Sequence, residues 1–470
     1  MLTFFKKLYY IMSYSPSVVS DSYIFEPKPR APDGYNYRTE FQTEAANYQL
    51  GGIMRIPMNQ IERGFLNVEN SFLNLTISDV ALTGTAVAFD GCKMSYIGGS
   101  ACLDQVNLIS GSAYVSQQTN YQSLFALNYV NNTTIDNSLT NSISNNSAKP
   151  IDGSNGGLYN WVCGQPLPLT VTGTTAGTQV GTISMSIPLI GLLNGEKSIP
   201  LGMLTEETVI EIYLTNDIKN IFFNAAASGT LTGLGSATFT ASFDAMIEIV
   251  SPNAFREIKA ASAGHNNIVT WSSTQQRCSA NTITKAELNS TSLMEKSILV
   301  TGVKPRKLLS MVCGCFRDNS EGNYDRWAMV QPWNDTNSGL QWSIGTRLFP
   351  PRRIETKSQI MKNVLACYNQ ESYTTQNNLF GVSSYLNRIP STTDAASLKS
   401  TIVRSCFGLD LTSFDKEADG VDVSDVNILC SGNLKLNADI TADSNYQLVT
   451  VKRFGVLYSI SPEGSWVVSY

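Results

Sequence analysis

The residue types that carry most enzyme chemistry are thin in this chain. His265 is the one histidine in 470 residues. A Ser-His-Asp or Cys-His mechanism would have to use it, and a zinc site built from several histidines is impossible within one chain. It sits in Ala263-Gly-His-Asn-Asn267, which reads as a solvated loop. Nine cysteines, Cys92, Cys102, Cys163, Cys278, Cys313, Cys315, Cys367, Cys406 and Cys430, form no CxxC. Cys313 and Cys315 share one face of a strand without zinc-ligand spacing. The set reads as free thiols in a reducing compartment. The acidic pairs Glu206/Glu207, Asp415/Glu417 and Asp419/Asp422 have the composition of a glycosidase dyad. No cleft signature accompanies them, and they read as solvated carboxylates. The run 415–425 lacks the spaced acidic loop of a calcium site. Arg347, Arg352 and Arg353 flank Pro350-Pro351 and read as an intersubunit or surface turn. There is no P-loop and no GxGxxG. The expectation is a protein that is not an enzyme, with no catalytic residues, no cofactor and no metal.

Composition points the same way. Charged residues are 15%, low for a soluble domain, and hydrophobic residues 42%. The net charge is −5. A protein that coats nucleic acid should be basic or carry a basic block, so no sequence-specific nucleic-acid partner is expected. No stretch of about 20 apolar residues could span a membrane, and contact with an internal membrane is left open. Residues 1–12 are apolar and aromatic but interrupted by Lys6 and Lys7. They suit a docking arm, a membrane-touching segment, or an upstream extension before Met12, and the docking arm is preferred. Pro16, Pro27, Pro29 and Pro32 extend the domain-free character, so residues 1–40 are expected to form an extended N-terminal arm.

From about residue 45 the pattern is short runs of period two. Leu73, Leu75 and Ile77 share one strand face, as do Ile183, Met185 and Ile187. A long alternating strand runs from Phe239 to Ile249, and another from Leu448 to Ile460. Polar loops separate the strands, notably 131–158 and 224–236, and loops of that length usually carry function or contacts. Helices are expected only around 113–128 and 358–368. The chain reads as built twice, each half closing on a long strand, with a break at Ser251-Pro252-Asn253. The fold class is all-β with a few short inserted helices: two consecutive antiparallel β-sandwiches, 41–252 and 253–470.

Particular motifs sharpen this. Arg55-Ile-Pro57 runs on to Gly64-Phe-Leu-Asn-Val-Glu-Asn-Ser-Phe-Leu-Asn-Leu-Thr-Ile77. This resembles the opening of the first jelly roll in major capsid proteins of polinton-like viruses and virophages, with Asn67 where that family usually has Asp. Residues 89–107 are similar to the family's next strand pair. Ser186-Ile-Pro-Leu-Ile-Gly191 followed by Ser198-Ile-Pro-Leu-Gly-Met-Leu204 looks like its paired Ile-Pro-Leu segment. Gly345-Thr-Arg-Leu-Phe-Pro350 resembles an element that precedes a helix, and Phe407-Gly-Leu-Asp-Leu-Thr-Ser413 one before the last strands. The matches run in order over about residues 50–470.

The resemblance implies a double jelly roll of two eight-stranded sandwiches. It implies a major capsid protein, located in the virion shell and assembled inside the infected cell. Homotrimers would form pseudo-hexameric capsomers that tile an icosahedral shell around double-stranded DNA. Partners would be neighbouring capsomers and minor capsid (penton or cement) proteins, the latter through residues 1–40. The alternative is a non-enzymatic carbohydrate- or cell-surface-binding β-sandwich. That class is normally exported with a cleavable signal and paired cysteines, which this sequence does not display.

Overall fold

The computed structural model describes residues 34–80, 94–132, 182–191, 198–224, 236–263, 269–290, 294–317, 325–327, 339–368, 406–412, 420–434 and 445–470, with shorter pieces between them. Eight strands build a first sandwich: β1 (Tyr35–Gln42), β2 (Ile53–Met58), β3 (Gly64–Ser78), β4 (Leu103–Ser110), β5 (Ala113–Gln118), β6 (Ile183–Ile187), β7 (Thr208–Leu214) and β8 (Thr238–Ile249). Helix α1 (Tyr121–Asn132) falls between β5 and β6. The antiparallel sheets have the orders β1-β8-β3-β6 and β2-β7-β4-β5. Strands close in sequence are thus dealt to opposite sheets, the double Greek key of a jelly roll.

Helix α2 (Pro252–Ala263) follows β8, with Pro252 in its first turn, where a missing N–H costs nothing. Ser251 caps it, its Oγ accepting from Ala254 N at 3.1 Å. Eight more strands follow: β9 (Val269–Ile283), β10 (Met294–Leu299), β11 (Leu308–Arg317), β12 (Leu340–Ile344), β13 (Arg347–Ile354), β14 (Cys406–Asp410), β15 (Ile428–Leu434) and β16 (Tyr446–Ile460). Helix α3 (Lys357–Cys367) falls between β13 and β14. The sheets are β9-β16-β11-β14 and β10-β15-β12-β13, and a final strand β17 (Trp466–Ser469) folds back on β16. Adding eight to each strand number of the first sandwich reproduces the second, with the helix at the same place. The duplication suggested by strand style is thus present in the connectivity.

The two cores are filled as alternation demands. Leu73, Leu75 and Ile77 of β3 stand beside Phe239, Phe243 and Ile247 of β8 in one sheet, all buried. The second core holds Trp342, Met311, Phe454 and Cys430, all buried. β11 is buried along its whole length, on both faces. Its outer face is covered by the two helices: Gly314 lies where a Cβ would meet Leu127 of α1 at 2.7 Å. Cys313, Cys315, Cys367, Cys406 and Cys430 are free and buried in this region. Burial pushes the Cys313 and Cys315 thiols up, and Cys313 lies against Cys430. These five thiols should label slowly in the native protein and fully once it is denatured. Fast native labelling of any of them, read by mass spectrometry, would contradict this packing.

Three expectations need correction. Residues 35–40 belong to a strand: β1 pairs all eight of its residues with β8. The prolines before it dominate the composition and hide the alternation of Tyr35, Tyr37 and Phe41. Residues 113–118 are strand β5, and the helix begins only at Tyr121. Asn120 at φ 52° makes the turn between them. Arg347, Arg352 and Arg353 lie on strand β13, which carries Pro350 and Pro351 because its outer edge is unpaired. The helix expected around 358–368 is α3, capped by Thr356 and Gln359 in a capping box.

Candidate functional site

The structure does not gather the candidate catalytic residues. His265, Asp415, Glu417 and Asp419 lie outside the described residues. Glu206 accepts from Ser465 Oγ at 3.1 Å and serves a contact between the sandwiches. Asp422 closes a local turn, accepting from Ser424 N at 2.9 Å and Ser424 Oγ at 2.8 Å. These hydrogen bonds hold its carboxyl below the usual range. Among the described residues no three His, Cys, Asp or Glu side chains could hold a metal ion. Arg353 pairs with Glu295 across the sheet, and Arg347 and Arg352 are exposed. Positive charge and proline on an edge strand block edge-to-edge pairing with another sheet.

Polar chemistry concentrates instead in the seam between the sandwiches. Asp325, in the connection after β11, is buried and reaches into the first sandwich. Its Oδ1 accepts from Ser95 Oγ at 2.8 Å and from Trp327 N at 3.0 Å, and its Oδ2 from Tyr96 N at 2.8 Å. Burial pushes its carboxyl up to about 6, against the pull of these donors. Beside it Arg326 Nη1 donates to Asn220 Oδ1 at 2.7 Å and Trp327 Nε1 to Asn220 O at 2.8 Å. The same seam continues where β9 runs along β5. Gln275, fully buried, donates to Val115 O at 2.9 Å and to Tyr458 Oη, and Arg277 Nη1 donates to Gln117 Oε1 at 3.1 Å. At the far end Thr205 meets the hairpin before β17, its N donating to Gly464 O at 3.2 Å and its Oγ1 to Glu463 O at 2.6 Å. Buried hydrogen bonds of this kind between two bodies favour one relative placement. No sequence signal marks Asp325 or Gln275, because their partners in the first sandwich lie more than 150 residues away.

The motifs quoted above have structural causes. Residues 67–72 form a bulge: Asp244 pairs with Phe72 but Met246 pairs with Asn67. Ser71 mends the interrupted ladder, its Oγ donating to Asn67 O at 2.6 Å and accepting from Met246 N at 3.0 Å. Asn67 itself donates to Glu248 Oε1 at 2.6 Å. The first Ile-Pro-Leu segment is pinned by Tyr121 Oη, which donates to Pro188 O at 3.2 Å and accepts from Ile190 N at 3.0 Å. In the second, Ile199 bridges Leu66 of β3 through both backbone groups. Gly345 at φ 59° forms the two-residue turn from β12 to β13. Gly408 lets α3 approach, since a Cβ there would meet Cys367 Sγ at 2.7 Å. Most of loop 131–158 lies outside the described residues. Its piece 143–147 anchors at Asn145, whose backbone oxygen accepts from Gly99 N at 2.9 Å.

No family model matches the chain, and no curated protein matches it in sequence. Its fold, however, matches solved structures along almost the whole length. A chain of the Sputnik virophage solved by cryo-EM aligns with a TM-score of 0.59 at 11% identity, over 96% of this chain and 92% of that one. The Faustovirus major capsid protein aligns with a TM-score of 0.59 at 9% identity, over 96% and 94%. The mavirus major capsid protein aligns with a TM-score of 0.55 at 9% identity, over 92% and 90%. At such identities the likeness is one of fold: the chain is a double jelly roll.

Proposed function

We propose that the chain is a viral major capsid protein, the repeating subunit of a virion shell, and not an enzyme. The observation that carries this reading is two eight-stranded jelly rolls of identical connectivity in one chain, joined by a buried polar seam. That unit aligns with two viral major capsid proteins over 90% or more of each chain. A shell subunit needs a rigid body with many modest lateral contacts, and closed symmetry multiplies them. The seam supplies rigidity. Low charge and polar loops supply wet, adaptable surfaces. Leu299 and Leu348, exposed on the β10-β15-β12-β13 sheet, are available apolar contacts. In this reading three copies form a pseudo-hexagonal capsomer, six jelly rolls around one axis, which tiles an icosahedral shell around double-stranded DNA. Residues 1–33 reach a neighbouring capsomer or a minor capsid protein.

Negative-stain images of the purified protein test it. The expected particle has six corners about a threefold axis. Elongated two-lobed particles, each holding a single chain, would contradict it.

A further inference from the structure

The two sandwiches repeat each other in connectivity, so an edge that one of them uses has a counterpart on the other. Within the chain the first sandwich offers β5, the edge of its β2-β7-β4-β5 sheet, and the second offers β9, the edge of its β9-β16-β11-β14 sheet. Among the described residues no ladder joins the two strands. Side chains of β9 make the contact: Gln275 donates to Val115 O at 2.9 Å and Arg277 to Gln117 Oε1 at 3.1 Å. The counterpart of β5 on the second sandwich is β13, and the counterpart of β9 on the first is β1. Each ends its sheet. Five of the eight residues are exposed in β13 and five of eight in β1, whereas in β5, covered by the seam, only Tyr114 is exposed.

The two open edges differ in charge. β13 carries Arg347, Arg352 and Arg353, all exposed, and no carboxylate. Arg353 pairs with Glu295, while Arg347 and Arg352 make no ion pair among the described residues. Leu348, 53% exposed, adds apolar area beside Arg347. The edge formed by β1 and β8 is acidic. Register sets Glu40 directly beside Asp244, and Glu248 beside Asn36. Like charges opposite each other on neighbouring strands repel. Arg38 meets Asp244 at 2.8 Å. Glu40 accepts from Ser242 Oγ, and Glu248 from Asn67 Nδ2 at 2.6 Å. Among the described residues no cation pairs with Glu40 or Glu248. Tyr35, 59% exposed, stands at the end of this edge.

We propose that β13 of one chain docks on the β1–β8 edge of a second copy, with Arg347 and Arg352 meeting Glu40 and Glu248. The contact repeats between copies what β5 and β9 do within one. It rests on the reading of the chain as a shell subunit and assigns the surfaces that join. Guanidinium forks match carboxylates in two hydrogen bonds, which gives such a contact direction as well as attraction. Pro350 and Pro351 do not obstruct it, because the contact inside the chain needs no ladder either. Two different surfaces of one chain make a heterologous contact, which passes from copy to copy and forms a ring when the rotation closes.

Charge reversal tests it. Light scattering coupled to size-exclusion chromatography, over a dilution series, is applied to the full-length wild type, Arg352→Glu, Glu40→Arg and the double variant. Each single variant is expected to weaken self-association about tenfold or more, and the double variant to regain most of it, since its reversed charges again meet across copies. All variants should keep the wild-type circular dichroism, because both side chains are exposed. A wild type that stays monomeric would overturn this contact together with the shell reading. An oligomer that forms equally well in both single variants would overturn this contact alone. So would single variants that fall apart with no recovery in the double variant.

Discussion

Asp325→Ala is expected to destabilise the protein by about 3–5 kcal/mol and to split its thermal unfolding into two transitions. The carboxylate takes three donors from both sandwiches, Ser95 Oγ, Tyr96 N and Trp327 N. Alanine leaves two buried backbone N–H groups and a hydroxyl without an acceptor, which is the costly way to lose hydrogen bonds. Because the loss falls on the seam, each sandwich should retain its own core and melt separately. The carboxyl also makes the seam pH-dependent. Its folded value, about 6, lies above the roughly 4 of an unfolded aspartate. The native state therefore binds the proton more tightly. Stability is full below about pH 4 and falls by about 3 kcal/mol as pH rises to about 6. Asp325→Asn should flatten that slope. Calorimetry between pH 4 and 7 checks both claims. A single unchanged transition in Asp325→Ala, or a slope that persists in Asp325→Asn, would show that the clasp is not what couples the sandwiches.

Two truncations separate the arm from the fold. Removal of residues 1–33 is expected to leave the melting temperature and the oligomeric state unchanged while impairing the proposed shell assembly. Removal of residues 1–42 is expected to lower the melting temperature steeply, because β1 is an integral strand. It pairs with β8 from Tyr35↔Ile249 to Gln42↔Ser242, and Arg38 meets Asp244 at 2.8 Å. Burial of Phe41 contributes about 2 kcal/mol. Each lost cross-strand pair contributes about 0.5 kcal/mol, and β8 is left as a bare edge open to aggregation. Equal stability of the two truncated proteins would contradict the placement of β1. Normal shells from the shorter truncation would remove the docking role of residues 1–33.

Much of the architecture is legible in the sequence, for a physical reason. Period-two alternation survives wherever a strand has one solvated face, as in β3, β6 and β8. It fails where both faces are covered. β11 reads as a largely apolar run without alternation because its outer side is covered as well. α1 blurs into β5 for the same reason: its residues are buried almost all round, so helical periodicity carries no signal. The ordered motifs are the most informative local feature, and three of them encode a backbone irregularity or close approach: the Ser71 bulge, the Tyr121-pinned turn, and the packing of α3 at Gly408. The seam was not legible. Asp325 with Ser95, and Asn128 with Gln276, come together only once two sandwiches are folded and docked. No local pattern specifies a partner 230 residues away.

In the proposed capsomer three folded chains associate about one axis. Light scattering coupled to size-exclusion chromatography measures this directly on the purified protein. A stable species of three times the 51.3 kDa chain mass is expected. A monomer that persists at high protein concentration and shows no tendency to assemble would contradict it.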